Sequence, residues 1–201
     1  MNTSPMTVAL LLFPDVEVLD FAGPFEVFSV AGEVRQPAPF RVITVADGAA
    51  PISAVGGLNV APHVDLADAP QADVLIIPGG KGSRPAMRAP RILDWVAKQA
   101  AGAKVVASVC TGALILGKLG LLDGLKATTH AGALSELREL SDKIDVRPQA
   151  RFTDNGKYLT SGGISAGIDM SLYLLRRLTD QALVDLVVEE MEYDWRMRAA
   201  G

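Results

Sequence analysis

Cys110 is the only cysteine among the 201 residues, and it stands where a thiol can act. Residues 104–118 read KVVASVCTGALILGK. An apolar run of strand length ends in Cys110, Thr111-Gly112 follow, and a helical pattern begins at once. This is the strand-turn-helix order of a nucleophile elbow, which lifts a side chain above the edge of a sheet. Ser108, Gly112 and Ala113 are small enough for such a turn. Free N–H groups and the dipole at a helix N-terminus favour negative charge, so the expectation is a thiol shifted toward thiolate. A free cysteine is commonly an inert core residue. The position of Cys110 at the strand-helix junction weighs against that here.

A thiolate that attacks carbon needs donors for the charge that develops. Pro78-Gly79-Gly80 ends the neighbouring apolar run. Gly79 and Gly80 are therefore expected at the same sheet edge as Cys110, the edge at which open α/β sheets bind ligands. Without side chains, their N–H groups can approach a ligand closely. Alone, a Pro-Gly-Gly is an ordinary turn. Four carboxylates, Asp15, Glu17, Asp20 and Glu26, follow the first apolar run. Asp20 lies between Leu19 and Phe21, and apolar company raises a carboxyl pKa into the range of a general acid or base. For each of the four, a solvated helix face is the competing reading.

His130, in KATTHAGAL, either touches Cys110 or closes a pocket wall as a hydrogen-bonded residue. His63, in VAPHVDL, has no suitable partner nearby and reads as structural. Asp169 and Ser165 read as helix packing and capping, and Tyr193 and Trp195 as dimer or core contacts. Phe21, Arg84 and Met87 are candidates for setting pocket size. One cysteine excludes an internal disulfide and any multi-thiolate metal site, and two histidines leave few ligand sets. No metal is expected. The absence of G-x-x-x-x-G-K-[ST] removes the phosphate-loop nucleotide sites.

The elements that must position these residues follow from hydrophobic period. Residues 7–13, 40–45, 72–77 and 104–109 are apolar runs of strand length, and 57–60 is a short candidate for an edge strand. Residues 16–32 carry a helical pattern that should kink or restart at Gly23-Pro24, since proline removes a backbone donor. Residues 91–101 and 111–119 read as helices, 127–129 as a possible strand and 134–140 as a helix. Asn155-Gly156 between 151–154 and 157–160 signals a hairpin whose two central residues take positive φ. Helices are expected over 163–178 and 181–191, then a short polar tail. Strands alternating with helices across short connections argue for one domain over residues 1–201, with a core at about 6–193 and a mainly parallel sheet covered on both faces.

Apolar residues make up 49% and charged residues 21%, with a net charge of −4. That composition supports a full core and offers no basic stripe for nucleic acid. No run reaches the roughly 18–20 apolar residues that a membrane helix needs. Residues 1–6 lack the basic start of a signal peptide. The expectation is a soluble, cytoplasmic chain.

Four segments, LLFPDVEVLDFAGPFEVF, DVLIIPGGKGSR, VVASVCTGALILGKLGLLDGLKATTH and YLTSGGISAGIDMSL, together resemble the ThiJ/PfpI superfamily of class I glutamine-amidotransferase-like proteins. The resemblance spans about residues 8–193. It implies a flavodoxin-like three-layer α/β sandwich, a homodimer and no cofactor. The pattern is most similar to the isonitrile hydratases, with the sensor halves of AraC-type regulators also similar. In the hydratases the site is a cysteine followed by threonine, with an aspartate in a Leu-Asp-x-x-Gly-Pro context. Cys110, Thr111 and Asp20 occupy those positions. Protease and deglycase branches commonly place His after the cysteine, where this chain has Thr111, and the branches that lack that His often carry Glu where this chain has Asp20. The resemblance therefore implies hydration of an isonitrile, with Cys110 as nucleophile, Asp20 as proton carrier and Thr111 orienting nitrogen or water. The alternative is a ligand- or redox-sensing module. The sequence stops at Gly201 with no helix-turn-helix pattern, which counts against a transcription regulator.

Overall fold

The computed structural model describes residues 4–195. The last part of the expected polar tail lies outside the described residues. In chain order the elements are β1 (Met6–Leu12), α1 (Val18–Val34), β2 (Phe40–Ala46), β3 (Ile52–Ser53), β4 (Asn59–Val60), β5 (Val64–Asp65), β6 (Val74–Ile77), α2 (Ser83–Ala86), α3 (Pro90–Gly102), β7 (Val105–Ser108), α4 (Gly112–Lys118), β8 (Lys126–Ala127), α5 (Leu134–Leu140), β9 (Asp145–Val146), β10 (Phe152–Asp154), β11 (Tyr158–Ser161), α6 (Ala166–Leu178) and α7 (Gln181–Glu190).

Seven strands form the central sheet in the order β10-β11-β7-β6-β1-β2-β5. Every neighbouring pair is parallel except β10–β11. Helices α1, α6 and α7 pack against one another, as do α2, α4 and α5. The central strands are continuous apolar runs because helices cover both faces: Val8 to Leu12 and Val74 to Ile77 have no exposed surface. The parallel register brings Ile77 beside Ser108. The chain therefore leaves β6 into Pro78-Gly79-Gly80 at the same edge at which it leaves β7 into Cys110.

Several expectations are corrected. Residues 59–60 pair with β3 in a separate two-stranded ribbon, and the edge of the main sheet is β5 instead. The candidate strand at 127–129 is β8, which pairs with β9 outside the main sheet. The hairpin at Asn155-Gly156 forms, but only Gly156 takes positive φ, +79°. A three-residue connection places Gly in the left-handed position. The Asn155 side chain meanwhile accepts from Lys126 N at 3.1 Å and donates to Lys126 O at 2.9 Å. Helix α1 does not restart at Pro24; it is a single helix with Pro24 inside. Gly23 and Pro24 are buried there, and a Cβ on Gly23 would stand 2.8 Å from the Ile168 side chain on α6. Close packing of the two helices thus holds α1 through the missing donor. Among the described residues no helix is long and apolar enough to cross a membrane.

Candidate active site

Cys110 sits one residue past Val109 with φ +55°, a left-handed conformation uncommon for a residue with a side chain. Three hydrogen bonds hold it there. Its N–H is shared between Gly162 O at 3.1 Å and Ser161 O at 3.2 Å, and its carbonyl accepts from Thr129 Oγ1 at 2.7 Å. Helix α4 begins at Gly112, where a Cβ would stand 2.1 Å from Ile77 O. Only glycine lets the helix start so close to the end of β6, so Gly112 is what folds the turn back over the sheet.

Asp20 lies in the first turn of α1 and is fully buried. Its Oδ2 accepts from Gly79 N at 2.9 Å. Burial pushes the carboxyl up to about 7. The Gly79 N–H opposes this, the Glu17 charge adds to it, and the Cys110 thiol and Ile164 N–H oppose it more weakly. Oδ1 is buried without a completed hydrogen bond among the described residues.

The expected thiolate is not what the site favours. Burial, with the Asp20 charge next in weight, pushes the Cys110 thiol up to about 11. The Thr111 and Ile164 N–H groups act in the other direction and are outweighed. Desolvation penalises an anion more than two N–H dipoles stabilise it, and α4 spans only seven residues. The resting pair at neutral pH is a protonated thiol beside a carboxyl that can gain or lose a proton.

Gly79 and Gly80 reach the expected edge, but their N–H groups already have partners. Gly79 donates to Asp20, and Gly80 donates to Thr111 Oγ1 at 2.9 Å. The reason is proximity: a Cβ on Gly79 would lie 2.5 Å from Thr111 N and 2.9 Å from Asp20 Oδ2. The two glycines lock the Asp20 and Thr111 side chains against the turn. The Thr111 hydroxyl is also engaged, donating to Gly80 O at 3.1 Å and accepting from Ser83 Oγ at 3.0 Å. What Thr111 presents to the sulfur is its backbone N–H.

His130 is exposed, and its Nδ1 accepts from Gly132 N at 3.1 Å. Its ring lies against Gly163, where a Cβ would be 2.6 Å from His130 Cδ2. It forms a wall beside the Gly162-Gly163 turn, and no hydrogen bond joins it to Cys110. His63 is tied to Thr44 at 2.8 Å and stacks on Phe25. Asp169 is ion-paired with Arg151 and accepts from Tyr193 at 3.0 Å. Ser165 precedes α6 but its side chain caps nothing. Tyr193 and Trp195 pack on the core. Phe21 and Met87 are buried in the core, and Arg84 pairs with Glu136 at 2.6 Å.

Two contributors escaped the sequence reading. Ser83, buried on α2, bonds both Thr111 Oγ1 and Gly80 O. Ile164 directs its N–H at Cys110 and Asp20 alike, with φ +49°, an outlier for a β-branched residue. The signal for Ile164 was Gly162-Gly163 at the end of β11, a second glycine pair at the edge where Gly79-Gly80 ends β6. Among the described residues no three His, Cys, Asp or Glu side chains converge as a metal site would require.

The DJ-1/PfpI family model matches residues 6–177. The chain is 38% identical to the isonitrile hydratase of Pseudomonas putida, over 94% of this chain and 78% of that protein. It is 25% identical to the HTH-type transcriptional regulator GbdR of Pseudomonas aeruginosa, covering 96% of this chain but only 52% of the regulator. The fold superposes on a ThiJ/PfpI family protein from Pseudomonas syringae with a TM-score of 0.86 at 29% identity, covering 98% of this chain and 78% of that one. Drosophila melanogaster DJ-1beta gives 0.83 at 20% identity, covering 96% and 100%. These neighbours share the flavodoxin-like arrangement.

Proposed function

The chain belongs to the DJ-1/PfpI family, and from that premise we propose that it is a hydro-lyase converting an isonitrile to an N-substituted formamide. One arrangement carries the reading: the buried Asp20 carboxyl, anchored by the Gly79 N–H at 2.9 Å and pushed up to about 7 by burial, lies beside the thiol of an elbow cysteine held at φ +55°. Similarity to the Pseudomonas putida hydratase supports the substrate class, as does Thr111 in place of histidine after the nucleophile.

The chemistry uses the pair as it rests. Asp20 takes the Cys110 proton as sulfur attacks the terminal carbon of R–N≡C, and returns it to that carbon. The net result is addition of S–H across one carbon, giving the thioimidate R–N=CH–S. Water then adds to the same carbon. One of its protons reaches nitrogen through Asp20, and the C–S bond of R–NH–CH(OH)–S breaks. The hydroxyl proton returns to sulfur, leaving R–NH–CHO and the free thiol. A carboxyl near pKa 7 can both donate and accept at neutral pH. Thr111 contributes its N–H beside the sulfur. Gly79 and Gly80 fix Asp20 and Thr111, and His130 walls the substrate. No cofactor enters the scheme.

We assign the chain to the cytoplasm, as a homodimer acting on a small molecule with no nucleic-acid or membrane partner. The dimer is proposed from the resemblance to the ThiJ/PfpI superfamily, which implies one. Sedimentation at micromolar concentration should give twice the monomer mass; a species at 21.2 kDa alone removes the dimer.

The sensor reading draws on the 25% identity to GbdR. A redox role is disfavoured by a thiol raised to about 11, because the thiolate is the oxidisable form. The deciding experiment incubates the chain with a panel of aliphatic and aromatic isonitriles and measures formamide. Turnover should be abolished in Cys110→Ala and nearly abolished in Asp20→Asn, reduced in Thr111→Val and least affected in His130→Ala. Near-parental turnover in Asp20→Asn overturns the mechanism. Loss in His130→Ala as deep as in Cys110→Ala substitutes a Cys–His pair for it. No formamide from any isonitrile favours the sensor.

A further inference from the structure

Beside the Gly162-Gly163 turn lies an open cleft of about 1300 Å³ whose walls do not include Cys110, Asp20 or Thr111. Four cationic side chains line it from four separate segments: Lys126 on β8, Arg147 after β9, Arg151 before β10 and Arg177 on α6. The walls carry a single acid, Asp154. Two further acids, Asp145 and Asp169, pair with these bases from outside the walls, so the cluster holds four bases and three acids on a chain whose net charge is −4.

The four differ in how they are held. Arg177 engages both oxygens of Asp154 at 2.9 and 2.8 Å, and Arg151 is clamped to the buried Asp169. These two are fixed in orientation. Arg147 pairs only with Asp145, both about half exposed at 49% and 50%, and such surface pairs contribute little and exchange readily. The Lys126 ammonium has no ion pair among the described residues, while its backbone is anchored by Asn155. Three of the four cations are already paired, so the cleft carries an excess of about one positive charge, with Lys126 and Arg147 the two side chains able to reorient toward an anion. The volume exceeds what a single inorganic ion fills and lies above the roughly 300–1000 Å³ of ordinary small-molecule pockets, so a bound molecule would occupy part of the cleft.

We propose that this cleft binds a small polyanion, a molecule whose phosphate or carboxylate oxygens are grouped so that several cations engage it together. The cleft adjoins the elbow, since its walls include Thr129 and Gly162, which bond the Cys110 backbone, but the proposal does not rest on the isonitrile chemistry.

Calorimetric titration of the full chain with inorganic tripolyphosphate and, separately, with citrate tests this at an ionic strength of about 0.05 M. Saturable one-to-one binding is expected with a Kd of about 1 mM or tighter for at least one probe, and the tighter probe identifies phosphate or carboxylate as the oxygen source. Lys126→Gln combined with Arg147→Gln should weaken it about tenfold or more, since two of the four cations are lost. Both side chains are exposed, and unchanged thermal unfolding verifies the fold. Arg88→Gln combined with Lys98→Gln, two exposed cations outside the cleft, should leave affinity within about twofold. Absence of saturation up to about 10 mM for both probes overturns the proposal. Equal weakening in the two double variants also overturns it, because diffuse attraction to the surface then explains the binding.

Discussion

Asp20 accepts the Gly79 N–H through Oδ2 at 2.9 Å and keeps Oδ1 buried without a completed hydrogen bond. One oxygen is anchored, which fixes the orientation of the carboxyl. The other is unsolvated, which keeps its proton affinity high. A carboxyl satisfied at both oxygens would sit low and be a poor acid at neutral pH. The proposed proton-transfer role of Asp20 rests on this half-satisfied arrangement, which carries a stability penalty that can be measured.

That penalty has a defined pH window. Asp20 is raised from 3.8 to about 7, so between those values the folded chain binds more protons than the unfolded one. Stability from this group is complete below pH 3.8, falls as pH rises, and is lost above pH 7. By linkage the loss is on the order of 4 kcal/mol. Asp20→Asn removes the slope. Its amide leaves a buried N–H without an acceptor, which costs about 1–3 kcal/mol at every pH. The variant should therefore gain about 4 kcal/mol relative to the parent between pH 4 and pH 8. Asp65, Asp73 and Asp180, all lowered, act with the opposite sign but equally in both proteins, so they cancel. Urea unfolding at the two pH values gives the difference; a constant offset would place Asp20 among ordinary surface carboxylates.

Reactivity and turnover should separate in the same variant. The Asp20 charge is the second cause, after burial, of the raised Cys110 pKa. Removing it draws the thiol down and raises the thiolate fraction at fixed pH, by about tenfold for each unit. Asp20→Asn should accordingly alkylate Cys110 faster with iodoacetamide at pH 8, while formamide production falls by about a hundredfold or more for want of the proton carrier. If alkylation slows along with turnover, Asp20 serves to generate thiolate and the proton-shuttle role is wrong.

The same contrast shows what the sequence could and could not reveal. The elbow was legible because it is local: a strand run, Cys110 and Thr111-Gly112 are contiguous. Asp20 was legible through the Leu-Asp-x-x-Gly-Pro pattern, since its apolar neighbours alone left a solvated helix face open. The direction of the thiol shift was not, since burial of Cys110 depends on Gly162, Ile164 and α1, which meet it only in the fold. Strands β5 and β9 are two residues long and carry no run from which a period could be read. The destinations of the Gly79 and Gly80 N–H groups depend on how far Asp20 and Thr111 reach across the edge, and no motif encodes that.

Thr111 and Ser83 should differ in their deletion penalties although they touch. Thr111 Oγ1 is the acceptor for Gly80 N, so Thr111→Val strands a backbone donor and should cost about 1–3 kcal/mol. Ser83→Ala removes a donor to Gly80 O, but Thr111 still donates to that carbonyl at 3.1 Å. Its cost should stay near or below about 1 kcal/mol. Thr111→Ser preserves the acceptor and should match the parent in urea midpoint. Equal loss in Thr111→Val and Ser83→Ala would mean the network acts through packing, not through the Gly80 bond.

The sharpest test of the locked turn is a single methyl group at Gly79. A Cβ there would stand 2.5 Å from Thr111 N, 2.5 Å from Thr111 Oγ1 and 2.9 Å from Asp20 Oδ2. A side chain could swing away, but Thr111 N is elbow backbone, held by the bonds that fix Cys110. Either the elbow shifts or Asp20 leaves Gly79, and in both cases sulfur and carboxyl lose their alignment. Overpacking of this kind costs about 1–3 kcal/mol, which the fold should survive, while a displacement near 1 Å can lower turnover by about a hundredfold. Gly32→Ala is the matching control. Its Cβ would meet nothing closer than Ala38 Cβ at 3.5 Å, and it lies inside α1, where alanine is favoured by about 0.5–1 kcal/mol. Gly32→Ala should therefore raise the Tm with turnover unchanged. Gly79→Ala should lower the Tm by a few degrees and lose nearly all formamide production, with kcat falling more than KM rises, because the reacting groups and not the substrate wall have moved. Full activity in Gly79→Ala would show that Asp20 and Thr111 need no anchoring by this turn.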